Sequence, residues 1–280
     1  MTYRVVQWTT GNIGRKSVHA VVENSQLELI GCYAWSPEKV GRDVRVLCGS
    51  QQLGVPATDD VAALLALKPD CVVYNQMFAD VDHLVRILEA GINVVTTSEF
   101  ITGHRLGDGR DRVARACEVG NSTIFGSGLN PGFIQLFAIV SAGLSDRIDR
   151  VYIEESFDTT IYNSPETEKI MGFGYPIDYP DLLAVTAQGS GIFREAVMLV
   201  ADALGVELDD IRCQAKYAQA TEDVNLPGDW VIAKGCVAGI DVSWKGYAGD
   251  RDVVEVRAVW TKGQALDPLW EMGFGYKITV

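Results

Sequence analysis

The run Tyr3-Arg-Val-Val-Gln-Trp8-Thr-Thr-Gly11-Asn-Ile-Gly14-Arg15 decides how this 280-residue chain is read. It begins as a short apolar strand, passes through a glycine-bearing turn and opens a helix. Backbone N–H groups and the positive end of the helix dipole then point at one spot, which makes an anion site. Against the dinucleotide fingerprint G-x-G-x-x-G, Gly11 and Gly14 match the second and third positions and Thr9 stands at the first. Gly11 would let a pyrophosphate approach the backbone, and Gly14 would let the helix lie close on the strand.

Outward from this run the pattern alternates strand and helix to about residue 130. Strands are predicted over Tyr3–Trp8, Leu27–Trp35, Cys71–Tyr74, Ile92–Thr97 and Ser122–Phe125, with helices over Asn12–Glu23, Asp59–Leu67, Val81–Ala90 and Arg110–Val119. Helices of that length between apolar strands are crossovers, so residues 1–130 are expected to form a doubly wound (Rossmann) parallel-sheet domain, class α/β, that binds a dinucleotide. Ligands of such a sheet sit beyond the carboxyl ends of its strands. The residues there form a polar and glycine-rich rim: Thr9, Thr10, Gly11, Asn12, Ile13, Gly14 and Arg15, then Ser36 and Lys39, Asn75, Thr97 and Asn130, all candidates for cofactor binding. The end of the second strand, Ala34-Trp35-Ser36, has no carboxylate to hold a ribose 2′-hydroxyl. Lys39 and Arg42 follow at once and Arg15 opens the first helix, which suits a 2′-phosphate; NADP is the expected cofactor, with NAD possible.

Residues 131–280 read differently. A helix over Phe133–Leu144 precedes a long strand over Arg150–Thr160, a helix over Pro165–Met171 and one long apolar-striped helix from about Asp181 to Leu204. Alternating strands follow at Cys213–Thr221, Gly235–Tyr247 and Asp252–Thr261, and a last one at Gly275–Val280. The period of two predicts an α+β domain with an open mixed, largely antiparallel sheet, expected to bind substrate and to pair two copies as a homodimer. Glu154, Glu155 and Asp158 are expected on its solvated face. Because Val280 falls within a strand, the domain is expected to be C-terminally incomplete. Phe133 opens the linking helix, and Tyr162 and Tyr175 bracket a segment with Gly172 and Gly174, so these three aromatics are candidate substrate walls for a small, largely apolar molecule.

The net charge of −13 argues against nucleic acid or an anionic membrane as partner, since both require a basic face. Neither a basic leader nor an apolar run long enough to span a bilayer is present, which points to the cytoplasm. The six cysteines are scattered singly, and His19, His83 and His104 share no ligand spacing, so no metal is expected.

The tracts VVQWTTGNIGR, SPEKVGRDV, DVAALLALKPDCVVYN, GINVVTT and GSGLNPGF, with IYNSPETEKIMGFG in the second half, resemble the dihydrodipicolinate reductase-like oxidoreductases. Within them the chain is most similar to 2,4-diaminopentanoate dehydrogenase and the native NAD(P)H-dependent amine dehydrogenases. The resemblance implies reductive amination of a small ketone or aldehyde with ammonia, and the reverse oxidative deamination. It also transfers a catalytic role to Glu99, in TTSEF, as the base that moves protons during amination. True dihydrodipicolinate reductases carry a paired-histidine motif, whereas this chain has no histidine after His104. Reduction of another C=N or C=O metabolite, and a cofactor-binding sensor without turnover, are the alternatives.

Overall fold

In the computed structural model, which describes residues 1–98, 101–162 and 164–280, the opening apolar run becomes the third strand from the edge of a parallel sheet. The chain divides into two units, Met1–Gly128 and Leu129–Val280. The first unit runs β1 (Tyr3–Trp8), α1 (Asn12–Glu23), β2 (Leu27–Tyr33), α2 (Val44–Leu47), β3 (Ala57–Thr58), α3 (Val61–Ala66), β4 (Cys71–Tyr74), α4 (Val81–Glu89), β5 (Asn93–Thr96), α5 (Asp108–Gly120) and β6 (Ile124–Gly126). Among the described residues its strands lie in the order β3-β2-β1-β4-β5-β6, every pair parallel. This is the doubly wound order, which reverses direction between β1 and β4.

Alternation along β1 explains how the sheet is covered. Val5 faces Val18 and Val21 of α1, while Val6 and Trp8 face Val61, Leu64, Leu84 and Ile87 of α3 and α4. Both faces are therefore dry, as a parallel sheet requires. The helices start where the sequence offers caps. The Asp60 carboxylate accepts from Ala63 N–H at 3.0 Å, and the Asp80 carboxylate from His83 N–H at 3.0 Å.

The second unit runs α6 (Ile134–Ala142), β7 (Val151–Asp158), α7 (Pro165–Lys169), α8 (Leu182–Gly189), α9 (Ile192–Ala203), β8 (Asp210–Ala220), β9 (Val224–Leu226), β10 (Trp230–Ile232), β11 (Val237–Ala248), β12 (Arg251–Thr261), β13 (Leu266–Asp267) and β14 (Gly275–Thr279). Its main sheet has the order β13-β8-β11-β12-β7-β14, antiparallel except for β12 beside β7. Ala196, Val197 and Val200 of α9 pack in one core with Ile240, Val242, Val254 and Val256 of the sheet. The fold class is as the patterns predict.

Two expectations fail here. The single helix predicted over Asp181–Leu204 is broken between Gly189 and Ile192. Gly189 lies against the Ile170 carbonyl so closely that a Cβ would sit 2.3 Å from its oxygen. The buried Ser190 hydroxyl donates to Thr186 O at 2.6 Å and accepts from Trp244 Nε1 at 3.0 Å, and these ties turn the chain there. Glu155 is buried rather than solvated, at 8% exposure. Its carboxylate accepts from Asn130 Nδ2 at 2.8 Å and from the Trp260 indole. Alternation along β7 cannot register a neighbour that arrives from another strand or from the turn ahead of α6.

Candidate functional site

The β1–α1 turn is built from the strand outward. Thr9 takes φ 71°, the left-handed region, where the fingerprint would place its first glycine. For a β-branched residue that conformation costs about 1–3 kcal/mol and persists only where neighbours impose it. Three do. Thr9 N–H donates to Tyr33 O at 3.0 Å, Thr9 Oγ1 donates to Asn75 O at 3.2 Å, and Gln7 Nε2 donates to Thr9 O at 2.9 Å.

Gly14 then has the place the motif assigns to it. A Cβ there would meet Thr9 O at 2.4 Å, so only glycine lets α1 start this close to the strand. At Gly11, by contrast, a Cβ would meet nothing within 4 Å, so the backbone borders open space. Gly11 is the N-cap of α1 and brings no side chain to cap it, and the helix ladder starts with Arg15 N–H on Gly11 O at 2.9 Å. Thr10 is 2% exposed, and its hydroxyl has no hydrogen-bond partner among the described residues. A buried hydroxyl without a partner, a helix start without a side-chain cap and an open face at Gly11 together fit an anion of phosphate size.

Asn75 ties this turn to the next strand ends. Its side chain accepts from Gln7 Nε2 at 2.9 Å and donates to Thr97 Oγ1 at 2.9 Å. Thr9, Asn75 and Thr97 thus form one hydrogen-bonded row across the ends of β1, β4 and β5. The residue that joins them, Gln7, is fully buried and was not among the expected site residues. Its signal was present, since an amide inside Val-Val-Gln-Trp has no place in an apolar strand unless it serves the backbone beside it.

Beyond β2, Ser36 is buried, and its carbonyl accepts from Lys39 N–H at 2.9 Å. Lys39 and Arg15 arrive from different elements, yet both lie near enough to Cys48 for their charges to lower its pKa against burial, which is the larger influence and raises it. Two of the three cations expected to suit a 2′-phosphate, Arg15 and Lys39, therefore act on the same thiol. At the end of β5, Ser98 N–H donates to Thr96 Oγ1 at 2.9 Å, and the Ser98 hydroxyl donates to Gln76 O. The candidate base Glu99 lies outside the described residues.

The second unit places its candidates separately. Asn130 Nδ2 donates to Glu155, and Asn130 Oδ1 accepts from Gln135 Nε2 at 2.8 Å, so its amide serves the turn into α6. Phe133 is exposed and stacks on Phe137 with centroids 6.5 Å apart. Tyr162 is also exposed, whereas Tyr175 is half-buried on the second core and meets Tyr179 edge to face at 4.9 Å. The second unit also holds a buried ion pair that the sequence pattern does not announce. Lys262 is fully buried, donates to Thr159 O at 2.8 Å and pairs with Glu168. Burial lowers the Lys262 pKa and raises that of Glu168, while the pairing opposes both shifts. Among the described residues no three His, Cys, Asp or Glu side chains gather as a metal site, and no helix is long and apolar enough to cross a membrane.

An amine dehydrogenase from Streptomyces virginiae is 34% identical to the chain over 221 residues, covering 74% of this chain and 61% of that enzyme. The chain is homologous to an amine dehydrogenase. It spans about three fifths of that relative's length. A 4-hydroxy-tetrahydrodipicolinate reductase from Synechococcus elongatus is 29% identical over 85 residues, 25% of this chain and 31% of the reductase. Among solved structures, the amine dehydrogenase from Mycobacterium smegmatis superposes with a TM-score of 0.81 at 20% identity, over 99% of this chain and 82% of that one, and so shares the fold. No protein-family model matches the chain.

Proposed function

We propose that the chain is an NAD(P)H-dependent amine dehydrogenase, which converts a small ketone or aldehyde, ammonia, NADPH and a proton into an amine, NADP and water, and runs in reverse as an oxidative deaminase. The observation that carries this reading is the 34% identity to the Streptomyces virginiae amine dehydrogenase over 221 residues, beside a fold shared with the amine dehydrogenase from Mycobacterium smegmatis.

When bound, a nicotinamide cofactor supplies or accepts the hydride. The residues that would hold it are Thr10, Gly11 and the start of α1 at the pyrophosphate, and Arg15, Ser36 and Lys39 at a 2′-phosphate; Asn75 and Thr97 brace the strand ends beside them. The finer assignment to NADP is supported by the absence of a carboxylate from Ala34-Trp35-Ser36 at the end of β2 and by the two cations that act on Cys48. Glu99, which follows β5 in the sequence, is the group we assign to take a proton from ammonium and to return one as water leaves. Phe133, Tyr162 and Tyr175 are assigned to the substrate, where aromatic area selects an apolar molecule. The reading extends to a homodimer through the outer face of the second sheet, supported by its mixed charges: Arg257 bonds Asp241 at 2.7 and 2.9 Å, and Arg150 pairs with Asp252 at 2.8 Å. A cytoplasmic setting is supported by six free cysteines.

Oxidation of NADPH across a panel of small ketones and aldehydes, with and without ammonia, tests this reading. Turnover that requires ammonia supports it. Turnover without ammonia points to a carbonyl reductase, and cofactor binding with no turnover points to a sensor. Glu99→Gln keeps shape and removes the base; near wild-type turnover in that variant would leave Glu99 without the assigned role.

A further inference from the structure

The segment after β2 carries Lys39 and Arg42, and one carboxylate ties it together. Asp43 Oδ1 accepts from the N–H groups of Arg45 at 3.0 Å and Val46 at 3.3 Å, and so caps α2. Asp43 Oδ2 accepts from Gly54 at 2.6 Å and Val55 at 3.1 Å, and Leu53 N–H reaches both oxygens at 3.2 and 3.1 Å. Five backbone donors, from residues 45–46 and 53–55, thus converge on one side chain, which only an ionised carboxylate can satisfy.

The knot fixes what lies on either side of it. Upstream, Gly41 N–H donates to Ala57 O and Ala57 N–H to Arg42 O, both at 2.8 Å, while Val44 N–H donates to Val55 O at 2.9 Å. Residues 41–44 are therefore laid against residues 55–57 at the sheet edge, directly after Lys39. Downstream, α2 ends at Cys48, whose carbonyl lies 3.2 Å from His19 Nε2 on α1. Cys48 is also the group that both Arg15 and Lys39 influence. One carboxylate thus sets the spacing between the segment that bears Lys39 and the helix that bears Arg15.

We propose that Asp43 is a positioning residue for cofactor discrimination: it touches no cofactor, but it holds the Lys39–Arg42 segment against α1 so that Lys39 and Arg15 meet a 2′-phosphate already in place. This rests on the NADP reading above. Cations fixed before binding lose less freedom when the phosphate arrives, so loosening them weakens NADPH selectively. NADH has no 2′-phosphate, and its pyrophosphate is received at Gly11 and α1, outside the knot.

The test is a fluorescence titration of NADPH and NADH, with thermal unfolding alongside, for the wild type, Asp43→Asn, Asp43→Ser, Lys39→Ala and Arg15→Ala. Asn keeps the size of the side chain, but its NH2 cannot accept from Gly54 and Val55. Ser keeps a cap for α2 and releases residues 53–55 alone. In both Asp43 variants the preference for NADPH over NADH is expected to fall about tenfold, with the NADH Kd changed less than about twofold. A purely structural carboxylate would lower the unfolding temperature and leave that ratio untouched, which would overturn the proposal. If Lys39→Ala and Arg15→Ala leave the ratio unchanged, the NADP reading fails and takes this inference with it. If they collapse the ratio while both Asp43 variants keep it, the positioning role alone is refuted. Failure of both Asp43 variants to fold would also overturn it, since the carboxylate would then hold the whole unit rather than the segment.

Discussion

Adding one methyl group at each of two glycines separates packing from binding in the opening turn. In Gly14→Ala the new Cβ would lie 2.4 Å from Thr9 O, 3.0 Å from Thr9 C and 3.2 Å from Gln7 Nε2. Normal contact needs about 3.5 Å, so roughly 1 Å of overlap with backbone has to be relieved. Thr9 cannot retreat freely, because its carbonyl accepts from Gln7 at 2.9 Å and Gln7 also holds Asn75. Overpacking of this kind costs about 1–3 kcal/mol, and the better helix propensity of alanine returns at most about 1 kcal/mol. A net loss of about 1–2 kcal/mol corresponds to a fall of about 2–8 °C in Tm for a chain of this size. In Gly11→Ala the methyl meets nothing within 4 Å, and φ of −72° suits any residue, so stability is expected to stay within about 0.5 kcal/mol of wild type. The same methyl would stand where a pyrophosphate approaches, and the NADPH Kd is expected to rise at least about tenfold. Differential scanning fluorimetry and NADPH titration read both quantities. A Gly11→Ala variant that binds NADPH like wild type would refute the placement of the pyrophosphate, and a Gly14→Ala variant with unchanged Tm would refute the packing argument.

The buried pair in the second unit should respond in a coupled way. Lys262→Met leaves Glu168 in an apolar site without its cation, which is expected to cost about 3–5 kcal/mol in urea unfolding at neutral pH, whereas Lys262→Met with Glu168→Gln should cost clearly less; equal losses would show that the two charges are not paired. The Asp43 carboxyl has a depressed pKa, in which burial raises it and the backbone donors more than offset that rise. A depressed folded-state value means a stabilising contribution that is complete above the ordinary aspartate pKa of about 3.9 and is lost as pH falls below it. The stability gap between wild type and Asp43→Asn should therefore be constant from about pH 5 to 8 and close below about pH 4, and a gap that instead changed between pH 6 and 8 would contradict this assignment.

How much of this was legible depended on the range of the interaction. The strand–helix alternation of residues 1–130 and the roles of Gly11 and Gly14 follow from local pattern, because a parallel strand buried on both faces must be apolar along its length. Strand β3 was missed, since Ala57-Thr58 carries no period and is held to the sheet edge by the Asp43 knot. The left-handed conformation of Thr9 was also hidden, because β-branched residues avoid it and Gln7, Tyr33 and Asn75, the last two distant from the turn in sequence, impose it here. The break at Ser190 and the burial of Glu155 have the same cause, in partners such as Trp244, Asn130 and Trp260 that lie far along the chain. Gln7 and Asp43 were legible in principle: a lone amide inside an apolar strand, and an acid ten residues before a Leu-Gly-Val turn, each serve backbone groups beside them.

The claim that the chain aminates a carbonyl is tested most directly by the mass of the product formed from a small ketone, NADPH and 15N-labelled ammonium. The account predicts an amine that carries the label, formed mole for mole with NADPH consumed. An alcohol, or an unlabelled product formed at the same rate without ammonium, would contradict it.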